Sequence, residues 1–257
     1  MTSYLVFQLY GPMAAWGDVA VGESRVSSTL PSRSALLGLL AAALGLKRTD
    51  EQRLNDLSAS VRFGLLTLSS GHFLRDYHTV QVPPASALKR RTSRTRRDEL
   101  SIPKSELGTI LSARDYRTDA SYRVAVERVE TGKFELETLR NALLKPVFPL
   151  YLGRKACPPS LPLAPRIVEA VNLLGAFRAA LASDGKNSID QPGKGFDVHR
   201  IESAPYPLTW EDGMTTGIEP IKSTTRRDQP RTRRRWQFNE RIEHQAMLDT
   251  LEDTSCT

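Results

Sequence analysis

A chain of 257 residues with 40% hydrophobic side chains can bury a full core as one large domain, or as one domain with an appendage. Its two cysteines, Cys157 and Cys256, lie far apart with no CxxC spacing, which argues against a disulfide framework or a zinc site. The longest apolar run, Leu36–Leu46, falls well short of the ~20 residues that span a bilayer, and Met1-Thr2-Ser3 supplies no basic region ahead of an apolar one, so the expected location is cytoplasmic with no membrane contact.

The net charge of +7 is unevenly spread. Lys89, Arg90, Arg91, Arg94, Arg96 and Arg97 fall in one short window without an acid. Lys222, Arg226, Arg227, Arg231, Arg233, Arg234 and Arg235 fall in another, with Asp228 alone opposing them. Without these windows the chain is mildly acidic. The bland alternative is a pair of solvated loops. Segregated arginine is also the electrostatic footprint of a nucleic-acid binder, because the guanidinium fork suits phosphates and base edges.

Tyr4–Tyr10 reads as the first strand. Leu5, Phe7 and Leu9 alternate with Tyr4, Val6, Gln8 and Tyr10, and so apolar a segment is expected inside a sheet. Gly11-Pro12 ends it. Trp16, among small residues in Met13–Gly17, is either a lid over the strand's end or a stacking surface beside a groove. A helix is expected over Ser34–Leu46 with Ser32 as N-cap. Ser32, Arg33 and Ser34 with the helix N–H groups make a candidate phosphate site there. A short helix follows at Asp50–Leu57.

Val61–Leu68 and Phe73–Val82 read as strands joined by a hairpin turn at Ser69-Ser70-Gly71. Ala85–Lys104 has few core-forming residues and holds the first arginine window. With strand-like Thr109–Leu111 and Tyr122–Val129 after it, this region is expected to protrude as a mobile finger. A helix over Glu135–Leu144 should bury Leu136, Leu139, Leu143 and Leu144. Val147–Leu152 reads as a strand, running into the loop Gly153-Arg154-Lys155. Strand, helix, strand, strand, helix, strand is the βαββαβ ferredoxin-like plan, α+β in class, shared by RNA-recognition modules. Beyond Pro165 come an expected helix at Arg166–Ala182, a polar loop to Gly195, and strands at Phe196–Glu202, Tyr206–Trp210 and Arg233–Arg241.

Five segments, in order, resemble the CasD subunits of type I-E CRISPR Cascade, in the Cas-five branch of the RAMP superfamily. They are GPMAAWG, LPSRSALLGLLAAALGL, RDYHTVQVPP, ILSARDYRTDASYRVAVE and FPLYLGRKACP. The resemblance covers about Ser3–Pro165 and fades after it. It implies a ferredoxin-like domain over 1–165 with a basic β-hairpin thumb inserted at about 84–120, and a C-terminal subdomain with a basic tail over 166–257. It implies a non-catalytic subunit with no cofactor that binds the 5′ handle of the guide RNA. Its neighbours would be the CasC backbone and large CasA subunits, with target DNA met through the complex. Carried onto this chain, Lys89, Arg90, Arg91 and Arg94 lie in the thumb. Trp16, Ser32, Arg33, Ser34, Tyr151, Gly153, Arg154 and Lys155 surround the handle. Arg114, Tyr116 and Arg117 sit at the thumb's return.

Two rival classes remain. Some relatives of this branch, in subtype I-C, cut repeat RNA themselves, without a metal. Tyr77, His78 and Lys155 are the best acid–base set for that, but neighbours in a strand face opposite ways. His72, His199 and His244 are the other histidines. A generic basic module would bind any sequence with steep salt dependence.

Overall fold

The chain opens with strand β1 (Thr2–Tyr10) and four two-residue strands, β2 (Met13–Ala14), β3 (Trp16–Gly17), β4 (Ser24–Arg25) and β5 (Ser27–Ser28). Helices α1 (Arg33–Ala43) and α2 (Glu51–Ser60) precede β6 (Val61–Ser69) and β7 (His72–Val82). Short helices α3 (Ala85–Arg90) and α4 (Arg96–Glu99) and a 3-10 turn at Lys104–Glu106 lead to β8 (Gly108–Thr118) and β9 (Ser121–Arg128). The rest comprises α5 (Leu136–Leu144), β10 (Arg166–Ala170), α6 (Leu173–Ile189), β11 (Tyr206–Glu211), β12 (Lys222–Thr232) and β13 (Gln237–Leu248). The computed structural model describes residues 1–18, 20, 22–90, 92–189, 204–232, 235 and 237–251. The expected strand Phe196–Glu202 therefore lies wholly outside the described residues, as do Arg91, His199, Arg233, Arg234 and Cys256.

Seven strands form one sheet in the order β10-β1-β9-β6-β11-β13-β12, with every neighbouring pair antiparallel. β1 is internal, as its apolar run requires. Its alternating side chains feed two cores on opposite faces. Leu5, Phe7 and Leu9 pack with Leu36 and Leu40 of α1 and Leu139 and Leu143 of α5. Tyr4 and Val6 pack with Leu173 and Phe177 of α6 and with Leu208 and Trp210 of β11. Burial on both faces is why the strand has almost no polar positions. Of the four leucines expected on α5's core face, Leu144 alone is exposed.

Several expectations are corrected. Val147–Leu152 is an irregular segment broken by Pro146 and Pro149, not a strand. Val147 and Phe148 donate their N–H groups to Ala43 and Ala42, satisfying the last carbonyls of α1 (3.0 and 3.1 Å). The strand beside β1 is instead Arg166–Ala170, registered from Thr2↔Ala170 to Val6↔Arg166. Those residues were expected to begin a helix, but the β-branched pair Ile167-Val168 suits a strand equally well. The helix begins only at Leu173, after Asn172 accepts from the Gly175 N–H (2.8 Å).

Ser69-Ser70-Gly71 does not close a hairpin. β6 stays in the main sheet between β9 and β11, while β7 leaves it to pair with β8. Gly71 permits this departure: it has φ +66°, and a Cβ there would lie 2.3 Å from the Thr118 carbonyl oxygen. Strands from both sides of residue 165 share the main sheet, so the sheet does not divide where a second subdomain was expected. Nor is the second arginine window a tail, since Lys222–Thr232 is the sheet's edge strand β12. The last strand is Gln237–Leu248, and the residues expected to begin it, Arg233 and Arg234, lie outside the described ones. No helix among the described residues is long and apolar enough to cross a membrane.

Candidate nucleic-acid interface

The start of α1 was expected to hold phosphate, and the structure fills it with protein. Ser32 caps the helix, its Oγ accepting from the Ala35 N–H (3.2 Å) and lying 2.9 Å from Ser34 Oγ. The Arg33 N–H donates to Asp228 Oδ2 (2.8 Å). The Arg33 side chain is buried: it pairs with Glu211, donates to the carbonyls of Ser58 (2.7 Å) and Val61 (3.1 Å), and lies over Phe63. A carboxylate thus sits where a phosphate would, favoured by the same N–H groups and helix dipole. Asp228 also receives two bonds from Arg241 (2.6 and 3.0 Å), and Arg241 donates to Glu243 (2.6 Å). Burial pushes the Asp228 carboxyl up, but the Arg241 hydrogen bonds and charge bring it below the ordinary range. Burial dominates at Glu211 and raises it. Arg226, counted on sequence as part of a basic surface, pairs with Glu243 (3.3 Å).

Trp16 is core rather than a stacking surface. It is 2% exposed, its Nε1–H donates to Tyr122 Oη (3.2 Å), and the two rings meet edge-on at 5.9 Å. The lid reading is the correct one. Base stacking needs an open ring face, and Trp16 has none.

The loop after α5 is held against the start of the chain. The Ala15 N–H donates to Leu152 O (3.0 Å), and Leu152 N–H to Cys157 O (2.7 Å). Gly153 follows with φ +84°, and a Cβ on it would fall 1.8 Å from Ala15 O. Gly153→Ala is therefore expected to displace the whole loop. In heteronuclear spectra, amide shifts at Ala15, Trp16 and Leu152 should move together, whereas shifts confined to residue 153 would show that the loop can yield.

Arg154 crosses to β8: it donates to Asp115 O (3.1 Å) and Arg25 O (2.8 Å), and its guanidinium stacks 4.6 Å from the Tyr116 ring centre. Tyr116 is buried, so that ring is already occupied. Asp115 accepts two bonds from Arg75 (2.7 and 3.0 Å), which hold its carboxyl below the usual range against the effect of burial. Arg154 thus meets the Tyr116 ring at the root of β8, while Arg117 lies on the strand's other face, 5.9 Å from the Phe73 ring centre.

Tyr151 and Lys155 are exposed on the rim of a groove of about 570 Å³. Its floor is α1, where Gly38, Ala41 and Ala42 recur at helical spacing and leave room. Phe148 and Arg48 complete the rim. These flanking residues were missed on sequence, where the only signal was the run of small residues on one face of an apolar helix.

β7 and β8 pair from His72↔Thr118 to Val82↔Gly108 as an arm that is joined at its root by β2 and β4 along Ala113–Thr118 of β8, with α3, α4 and the 3-10 turn at its tip. The arm is longer than expected and starts before Pro84. Its tip is folded: Thr95 and Asp98 make a reciprocal cap on α4, and Arg96 pairs with Glu99 (2.6 Å). Lys89, Arg94 and Arg97 are exposed there. Arg90 belongs to α3. Phe73, Arg75 and Tyr77 share one face of the arm, a pattern legible only as alternation once the strand is known. His78 lies on the other face, 2.6 Å from Asp76, so it and Tyr77 do not share a site. His244 is paired elsewhere, with Ser223 (2.8 Å) and Asp212 (3.2 Å).

A helix-backed antiparallel sheet with an arginine-rich arm defines an α+β class, and the chain belongs to a particular family within it. The family model described as CRISPR-associated protein (Cas_Cas5) matches residues 4–242, well past Pro165, where the resemblance was expected to fade. The chain is 38% identical over 171 residues to "CRISPR system Cascade subunit CasD" of Escherichia coli strain K12, a match covering 63% of this chain and 70% of that one. A chain of a solved "CRISPR RNA-guided surveillance complex" superposes with TM-score 0.62 at 26% identity, covering 95% of this chain and 90% of that one. A second solved structure, "Crystal structure of Cas protein", superposes with TM-score 0.53 at 23% identity over 95% of this chain and 94% of that one, and bears on the fold alone.

Proposed function

We propose that this chain is a subunit of a Cascade-type, CRISPR RNA-guided surveillance complex that holds the 5′ handle of the guide RNA and is itself non-catalytic. The relationship to CasD and to a surveillance-complex chain supports the assembly. The observation that carries the binding reading is the groove rimmed by Tyr151 and Lys155, beside the Gly153 turn and Arg154. An exposed ring and a cation at the mouth of an apolar groove suit a single strand with splayed bases. The strand order β10-β1-β9-β6 supports a ferredoxin-like core, because in chain order it reads fourth, first, third, second. On this reading the β7–β8 arm is the thumb, with Lys89, Arg90 and Arg94 at its tip and Arg114 and Arg117 at its root. The neighbours are a CasC-like backbone subunit and a CasA-like large subunit in the cytoplasm, with target DNA reached through the complex. Ser32, Arg33, Ser34, Trp16 and the Tyr116 ring drop out of the RNA surface because protein groups already occupy them.

The test is a gel assay in EDTA with the chain's own repeat RNA and a scrambled control, resolving shift and cleavage together. A repeat-selective shift without cleavage is expected. Specific cleavage would make the chain a processing ribonuclease. Tyr151→Ala combined with Lys155→Glu should weaken repeat binding roughly tenfold or more while leaving the melting temperature unchanged. Equal affinity in variant and wild type would place the handle elsewhere.

A further inference from the structure

At the β12 edge of the main sheet a hydroxyl, an imidazole and a carboxylate form a chain. Ser223 of β12 and Trp210 of β11 lie directly opposite His244 of β13, one on each side, so the three side chains share a face. Ser223 Oγ is 2.8 Å from His244 Nδ1, and His244 Nε2 is 3.2 Å from Oδ1 of Asp212, the residue after β11. A carboxylate only accepts, so in the neutral imidazole Nε2 carries the hydrogen and donates it to Asp212. Nδ1 is then an acceptor, and the Ser223 O–H donates to it. The Trp210 ring backs the imidazole, with centres 5.7 Å apart and planes tilted by 33°. The His244 side chain is 18% exposed, whereas Ser223 is open to solvent. A fixed base thus stands behind an accessible hydroxyl.

We propose that Ser223 is an acyl-accepting nucleophile, a modification site that takes a small apolar acyl group from an ester, with His244 as its base and Asp212 as the residue that positions His244. Among the described residues β12 has β13 as its one strand neighbour. Backbone polar groups alternate in direction along such an edge, so the N–H of Ser223, or those of Lys222 and Thr224 beside it, point away from the sheet and can donate to an oxyanion. Ile242, two residues from His244 on the same face, is 47% exposed, and Ile221, two residues before Ser223, is 73% exposed. These side chains give an apolar acyl group somewhere to lie. In the reaction Ser223 Oγ attacks the carbonyl carbon of the ester while His244 Nδ1 takes the hydroxyl proton. The bond from that carbon to the alcohol oxygen then breaks, and Nδ1 returns the proton to the departing oxygen. The products are an acyl-serine and the free alcohol. Asp212 holds the Nε2–H throughout and offsets the charge of the imidazolium. This chemistry is independent of guide-RNA binding.

The test incubates the full chain, without RNA, with p-nitrophenyl acetate and p-nitrophenyl butyrate and follows acylation peptide by peptide by mass spectrometry. Ser223 should acquire the acyl group well ahead of Ser105, which is exposed on the arm and serves as the internal control. His244→Gln should slow acylation of Ser223 roughly tenfold or more. Asp212→Asn should slow it too, and Asp212→Glu should restore most of the rate, a rescue that a merely structural contact would not produce. Asp212 is 72% exposed, so its variants should keep the wild-type melting temperature. If His244→Gln melts lower, the comparison of Ser223 with Ser105 in wild type and the Asp212 pair decide the matter. Acylation of Ser223 no faster than Ser105 overturns the proposal, as does an unchanged Ser223 rate in folded His244→Gln; the three groups are then a surface hydrogen-bond chain. No RNA enters the assay, so failure of the handle reading leaves this result intact.

Discussion

Asp228→Ala is expected to destabilise the fold by about 3–5 kcal/mol, because it strips the partner from a buried cation. Arg241 would lose both hydrogen bonds to that carboxylate, and the Arg33 N–H would lose its acceptor at the start of α1. Glu243 would remain beside Arg241 but does not reach the helix. For a chain of this size each kcal/mol moves the midpoint by roughly 2–4 °C, so thermal unfolding near neutral pH should show a fall on the order of 10 °C. A fall of only a degree or two would mean that the network is solvated and the helix start open after all. The pH dependence has a definite sign. The Asp228 carboxyl is lowered on folding from its ordinary 3.8, so its stabilisation is complete above that value and is lost as pH falls below it. Asp115 behaves the same way. Glu211, raised by burial, works in the opposite direction and gives back some stability on acidification. Asp228→Asn should therefore lose most relative to wild type near neutral pH and least in acid.

Trp16→Ala should cost about 3–5 kcal/mol, the usual penalty for emptying a buried aromatic site. The indole fills the core cluster beneath β1 and gives Tyr122 Oη its Nε1–H donor. Trp16→Phe keeps most of the ring and loses the hydrogen bond, and should cost visibly less. The decisive comparison is between unfolding and RNA affinity per folded molecule: the first should fall sharply and the second should not. An unchanged melting temperature with lost RNA binding would return Trp16 to the interface.

These two residues mark where reading from sequence stops. Alternation in Tyr4–Tyr10 identified an internal strand, because burial on both faces leaves a local signature. The α1 cap was equally legible, since Ser32 bonds only three residues away. Trp16 was ambiguous because a tryptophan among small residues looks the same whether its ring meets another side chain or a base. Arg33 was misplaced because its partners, Asp228 and Glu211, come from strands nearly two hundred residues later. Arg166–Ala170 was misread because five residues fit either a helix turn or a strand, and only the free edge of β1 decides between them. Phe73 passed unnoticed because nothing local says that β7 leaves the main sheet.

The sequence by itself determined the elements whose causes are local: the strand alternation, the capped helices, the glycine turns and the clustering of arginine into two windows. Tertiary structure alone decided which basic side chains face water. Charge can be counted along a chain, but a counter-charge is supplied in space. Thus Arg33, Arg226 and Arg241 are spent inside on Glu211, Asp228 and Glu243, while Lys89, Arg94 and Lys155 remain at the surface.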